Sequence, residues 1–167
     1  MTGGAAGRWY EDLVIGECAS FGAYRVTRDE AVAFSRAYDP QPFHLSDEAA
    51  AQTHFGRLAA SGWHTAAMTM AMLVAHFAET GQQSLGSPGI DELRWLTPVY
   101  PGDTLRCETE LLDARRSASR PEMGITRSRT TVFNQHDVAV MSFLASGMIR
   151  TRSPERKGAP VETSAPG

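Results

Sequence analysis

Hydrophobic positions along the chain change period near its middle. Up to Gly81 they come in helical clusters broken by Gly and Pro, and beyond Ile90 they alternate with polar residues. In the first half, Ser20 to Val26 carries Phe21, Tyr24 and Val26 and fits a short strand. Thr27 then stands where an N-cap would, with Glu30 three residues later as its capping-box partner. Val32, Ala33, Phe34 and Ala37 predict a helix that stops near Tyr38, because Pro40 and Pro42 follow. Asp39 to His44 is therefore a stiff loop. Ser46 caps a second, short helix through Ala51, and Gly56 ends that region. After Gly62 the run WHTAAMTMAMLVAHFAE is apolar on nearly every face, which predicts a buried helix to about Glu79 with Gly81 as its stop.

Four extended segments follow: Ile90–Leu96, Asp103–Asp113, Gly124–Asn134 and Val138–Arg150. Leu105, Cys107, Thr109 and Leu111 alternate with Arg106, Glu108 and Glu110, the period of a half-buried strand. Residues 134–137 (Asn-Gln-His-Asp) read as a hairpin turn between the last two strands. The simplest packing is α+β, an antiparallel sheet curled around one buried helix. Residues 9–152 form that single domain. Residues 1–8 are small and Gly-rich, and residues 153–167 are rich in Pro, Ser and charge, so both ends are expected to be flexible.

Composition narrows the classes without choosing an activity. A charged fraction of 21% and a hydrophobic fraction of 42% belong to an ordinary globular chain of 167 residues. The net charge of -3 lacks the basic excess that nucleic-acid binding needs. Cys18 and Cys107 have no metal-ligand or redox spacing, so two reduced, buried thiols in a cytoplasmic protein are expected. The longest apolar stretch, residues 66–78, is too short to span a bilayer.

The informative segment for chemistry is Tyr38-Asp39-Pro40-Gln41-Pro42-Phe43-His44. Two prolines hold the loop, so a carboxylate and an imidazole can turn into one cleft and hold a water between them. The plain structural alternative is that Asp39 caps the next turn and His44 makes an internal hydrogen bond. A second element is Ala59-Ala60-Ser61-Gly62. A glycine opening a helix exposes free N–H groups and the positive end of the dipole, which favour negative charge developing on an oxygen. Its alternative is a tight helix entry with Ser61 as the cap.

These motifs resemble the MaoC-like dehydratase family, which includes the (R)-specific enoyl-CoA hydratases and has the hot-dog fold. Asp39, Pro42 and His44 match the family's D-x-N-P-x-H pattern, residues 47–51 its Ala-rich turn, and Gly62 its oxyanion position. Pro98-Val99-Tyr100-Pro101-Gly102-Asp103-Thr104 resembles its P-V-x-x-G-D-T turn. The resemblance runs from about Trp9 to Arg150. The motif Asn is Gln41 here, Ser61 stands where many members have His, and Met70 stands where some hydratases have Ser.

The resemblance implies catalytic roles for Asp39, His44 and Gly62, with Gln41, Pro42, Phe43, Ser61 and Trp63 at the substrate. Asp39 would take a proton from water adding to the β-carbon of a trans-2-enoyl-CoA, and His44 would hold that water and share in the proton transfer. The Gly62 N–H would bind the thioester oxygen. No metal or redox cofactor is implied, since CoA is part of the substrate. A homodimer of two side-by-side hot dogs, or a higher homo-oligomer, is implied, with no membrane or nucleic acid as partner. A hot-dog thioesterase and a non-catalytic acyl-CoA-binding subunit are the alternatives. Trp95 and Tyr100 either line an acyl tunnel or fill the core. The Arg115, Arg116 and Arg120 loop either meets CoA phosphates or is a solvated turn.

Overall fold

The switch from alternation to capping at Thr27 separates the first strand from the helical segment that carries the loop chemistry. In a computed structural model describing residues 7–153, strand β1 covers Cys18–Arg25 and helix α1 Arg28–Tyr38. The Thr27 hydroxyl accepts the Glu30 N–H at 3.3 Å, as a cap should. The reciprocal half of the capping box is absent. The Glu30 carboxylate takes hydrogen bonds from the Tyr24 and Thr27 hydroxyls, tying α1 back to β1. A single 3-10 turn, Pro42–His44, and the short helix α2, Asp47–Ala51, follow; Ser46 caps α2 by accepting the Ala49 N–H.

Helix α3 runs from Gly62 to Thr80, started by the Ser61 side chain and stopped by Gly81 in the left-handed conformation at φ 67°. Against it curls a five-stranded antiparallel sheet made of β1, β2 (Ser84–Trp95), β3 (Thr104–Arg116), β4 (Met123–Phe133) and β5 (Ala139–Arg150). The spatial order is β1-β3-β4-β5-β2, so β1 and β2 are the edges. This is the hot-dog arrangement, a helix held in one curved sheet. The core lies between them, where Met68 and Met72 of α3 meet Leu105, Val132 and Met141 of the sheet. Each such buried side chain contributes roughly 1.5–3 kcal/mol.

The four C-terminal strands fall where alternation places them, except that β2 begins at Ser84, well before Ile90. Gly86, Pro88 and Gly89 break any two-residue pattern there, and pairing with β5 holds the segment extended in an irregular register. The 134–137 hairpin forms, with the Asn134 side chain accepting the N–H groups of His136 and Val138.

Helix α3 is not buried all round. His64, Thr65, Met68, Thr69, Met72 and Leu73 face inward. Trp63, Ala67, Met70, Ala71, Val74, Ala75 and Ala78 form an exposed apolar stripe along the other side, with Trp63, Met70 and Val74 at 57%, 46% and 55% exposure. One sheet covers one side of a helix, and among the described residues no second layer covers the other.

Of the flexible ends expected, residues 1–6 and 154–167 lie outside the described residues. Arg8 is bridged to Gln82 and paired with Glu17. Arg116 donates to the Glu11 carboxylate and to the Pro121 and Ser153 carbonyls, so it binds the two ends of the domain together and is no free phosphate ligand. Cys107 is buried, and burial pushes its thiol up to about 12, whereas Cys18 is exposed, contrary to the expectation of two buried thiols. Among the described residues no helix is long and apolar enough to cross a membrane.

Candidate active site

Asp39 sits where α1 ends. Its N–H closes the last turn on the Ser35 carbonyl at 2.9 Å, and Pro40 forbids another. The chain then folds back through Gln41, whose N–H reaches the Asp39 carbonyl, into the 3-10 turn that ends at His44. Pro42 opens that turn with its φ preset and no N–H left over. Phe43 packs on Phe55 with ring centroids 5.1 Å apart and meets the His44 ring edge-on at 4.6 Å. Those rings hold His44 at 5% exposure.

His44 Nδ1 lies 2.7 Å from the Ala59 carbonyl oxygen. A carbonyl only accepts, so Nδ1 carries a proton and Nε2 is the nitrogen left to face the cleft. That atom is 3.4 Å from Asp39 Oδ2. The other lone pairs of the carboxylate are engaged: Gln41 Nε2 donates to Oδ1 at 2.7 Å and Ser61 Oγ donates to Oδ2 at 2.6 Å. Burial alone would push Asp39 up. The hydrogen bonds from Ser61 and Gln41, with the field of His44, outweigh it and hold the carboxyl below its ordinary 3.8. A carboxylate oxygen and the imidazole Nε2 thus face one another, and with Nε2 unprotonated one water can donate a hydrogen to each.

The approach to α3 is braced by the turn after β2. The Ala60 N–H donates to the Val99 carbonyl at 2.8 Å, and the Tyr100 hydroxyl donates to the Phe55 carbonyl at 2.9 Å. Asp103 closes that turn on the Tyr100 N–H, and the Gln135 side chain donates to Asp103. Tyr100 therefore supports the site's loop.

Ser61 is fully buried. Its hydroxyl gives its proton to Asp39 while accepting the Trp63 N–H at 3.2 Å, so it caps α3 and orients the carboxylate at once. Expected at the substrate, it stands behind Asp39 instead. The Gly62 N–H has no acceptor among the described residues and remains available at the positive end of the helix dipole. Gly62 itself is covered by Trp95: a Cβ built there would lie 2.6 Å from the indole nitrogen. Trp63 is exposed and meets Trp95 edge to face at 5.1 Å.

The structure thus brings Asp39, His44, Ser61 and Gly62 together, with Gln41 and Phe43 supporting them and the exposed Pro42 on the rim. The longer side chain of Gln41 still reaches the carboxylate. Trp95 is the neighbour that sequence reasoning left undecided. Its one visible signal is a large aromatic at the end of a strand, directly before a turn that resembles the family's.

Neither His64, stacked on Phe34, nor His76, stacked on Phe21, joins the site. Burial holds both imidazoles below their ordinary value.

A carboxylate and an imidazole thus face one another beside the open N-terminus of α3, on a hot-dog sheet. The chain belongs to the MaoC-like domain family, whose pattern matches residues 14–133. It is similar to a MaoC-like dehydratase from Rhodospirillum rubrum, with 39% identity and a TM-score of 0.80 over 88% of this chain and 99% of that one. An (R)-hydratase from A. caviae involved in PHA biosynthesis matches with 26% identity and a TM-score of 0.64, over 82% of this chain and 97% of that one. The mesaconyl-CoA hydratase of Cereibacter sphaeroides is 31% identical over 88% of this chain, which covers 42% of that enzyme.

Proposed function

We propose that the protein adds water reversibly to the double bond of a trans-2-enoyl thioester of CoA, giving the (R)-3-hydroxyacyl thioester. The observation that carries this reading is the facing pair, Asp39 Oδ2 and His44 Nε2 at 3.4 Å with Nδ1 already committed. Two acceptors at that spacing hold one water by both hydrogens and leave its oxygen lone pair free for the β-carbon. The names of the A. caviae and Cereibacter relatives support the stereochemistry and the CoA carrier.

As the water oxygen bonds to the β-carbon, one of its O–H bonds breaks and the proton goes to His44 Nε2. The hydrogen bonds from Gln41 and Ser61 hold the Asp39 carboxylate in place, so it orients the water and stabilises the imidazolium. This moves the proton acceptor from Asp39, as the sequence implied, to His44. Electrons of the double bond pass to the thioester oxygen at the Gly62 N–H. The imidazolium then returns its proton to the α-carbon, and the site is restored with one water added.

The test is an assay across enoyl-CoA chain lengths with products identified. The 3-hydroxyacyl-CoA is expected, and Asp39→Asn and His44→Ala should each lower its formation by at least about 100-fold. Release of free CoA without a hydroxyacyl product would replace the reading with thioester hydrolysis. Tight binding of CoA esters without turnover would replace it with a binding subunit.

The working unit in this proposal is a homodimer. The apolar stripe of α3 and the unpaired edge of β2, with Ile90 and Leu96 about half exposed, form a surface that a second copy of the chain would cover. A monomeric mass by light scattering at micromolar protein would end that part of the proposal.

A further inference from the structure

Trp95 does more than force residue 62 to be glycine. On the Cβ side of Gly62 the indole lies so close that Nε1 and Cδ2 would be 2.6 and 2.7 Å from any added Cβ. A Cβ is about 2.5 Å from its own amide nitrogen, so the indole nitrogen and the Gly62 nitrogen are no more than about 5 Å apart. Two donors that each stand about 2.9 Å from a shared oxygen fall within that limit. Neither donor is used internally: the Gly62 N–H and the Trp95 indole N–H both lack an acceptor among the described residues.

The ring is held in place from two sides. Trp95 is the last residue of β2 and pairs with Met141 of β5, and the next residue, Leu96, donates its N–H to the Val140 carbonyl. On its outer side it meets Trp63 edge to face, and it is 48% exposed, so a ligand has access to it. We propose that the Trp95 indole N–H is the second donor to the thioester oxygen bound at the Gly62 N–H, which makes Trp95 a catalytic residue of the reaction proposed above, on whose reading this rests. One backbone N–H offers a developing enolate oxygen a single hydrogen bond. The indole supplies another from a ring too large to rotate freely, and its apolar body displaces water from the same oxygen.

Trp95→Phe tests this because it keeps an aromatic cover over Gly62 and removes the N–H. The expected result is a fall in kcat for crotonyl-CoA hydration on the order of 10²-fold, with KM changed by no more than about threefold. The melting temperature should stay unchanged. A second readout does not depend on turnover. The infrared carbonyl band of bound butyryl-CoA, labelled with carbon-13 at the thioester, should lie at lower frequency in wild type and move back toward its free position in Trp95→Phe. An unchanged kcat with an unchanged band overturns the proposal. So does a loss of activity that follows a lowered melting temperature while the band stays put, since that assigns the ring to packing. If wild-type protein hydrates no enoyl-CoA, the hydratase reading fails separately, and the carbonyl band still decides whether Trp95 donates.

Discussion

The two ends of α3 solve the same problem in opposite ways. Each helix end leaves backbone groups without partners. At the C-terminal end they are closed internally: Gly81 turns left-handed, its N–H reaches back to Ala78, and the Gln82 N–H donates to Phe77. At the N-terminal end Ser61 satisfies only the Trp63 N–H and gives its proton to Asp39, leaving the Gly62 N–H open under Trp95. One end is closed within the chain, and the other leaves an N–H open.

Gly62→Ala should break the contrast most sharply. The new methyl overlaps the indole and displaces it, and a misplacement of about 1 Å costs on the order of 100-fold in kcat/KM. Ser61→Ala should cost less, about tenfold in kcat, because Asp39 loses one orienting hydrogen bond. Its pH signature is specific. The Asp39 carboxyl lies below 3.8 in the folded protein, so its contribution to stability is fully present above that value and is lost as the pH falls through the folded pKa. Removing the Ser61 donor raises the folded pKa, and acid unfolding should then begin at higher pH than in wild type. Gly81→Ala has the smallest effect, about 1 kcal/mol less stability in urea titration from its left-handed φ, with hydration unchanged.

Much of this region was legible along the chain because local chemistry decides it. Thr27, Ser46, Ser61 and Gly81 mark helix ends, and Pro40 and Pro42 fix where α1 must stop, so the Asp39–His44 loop could be placed before any fold was known. Four features were not legible, each set by a distant part of the chain. Ser84–Gly89 is extended because β5 pairs with it. The outer stripe of α3 is at least as apolar as the inner face, and only the position of the sheet distinguishes them. The role of Ser61 depends on the direction in which Asp39 returns, and the closeness of Trp95 to Gly62 depends on where β2 ends.

The brace formed by Val99 and Tyr100 has a consequence for the order in which the protein is made. The loop carrying Asp39 and His44 leaves the ribosome before its supports at residues 95–103 have been synthesised. At roughly 5–20 residues per second, it waits a few seconds for them. During that interval the chain holds every residue of the Asp39–His44 pair but not yet the brace from Val99 and Tyr100. The pair therefore acquires its geometry late in synthesis, when the turn after β2 docks against Phe55 and Ala60.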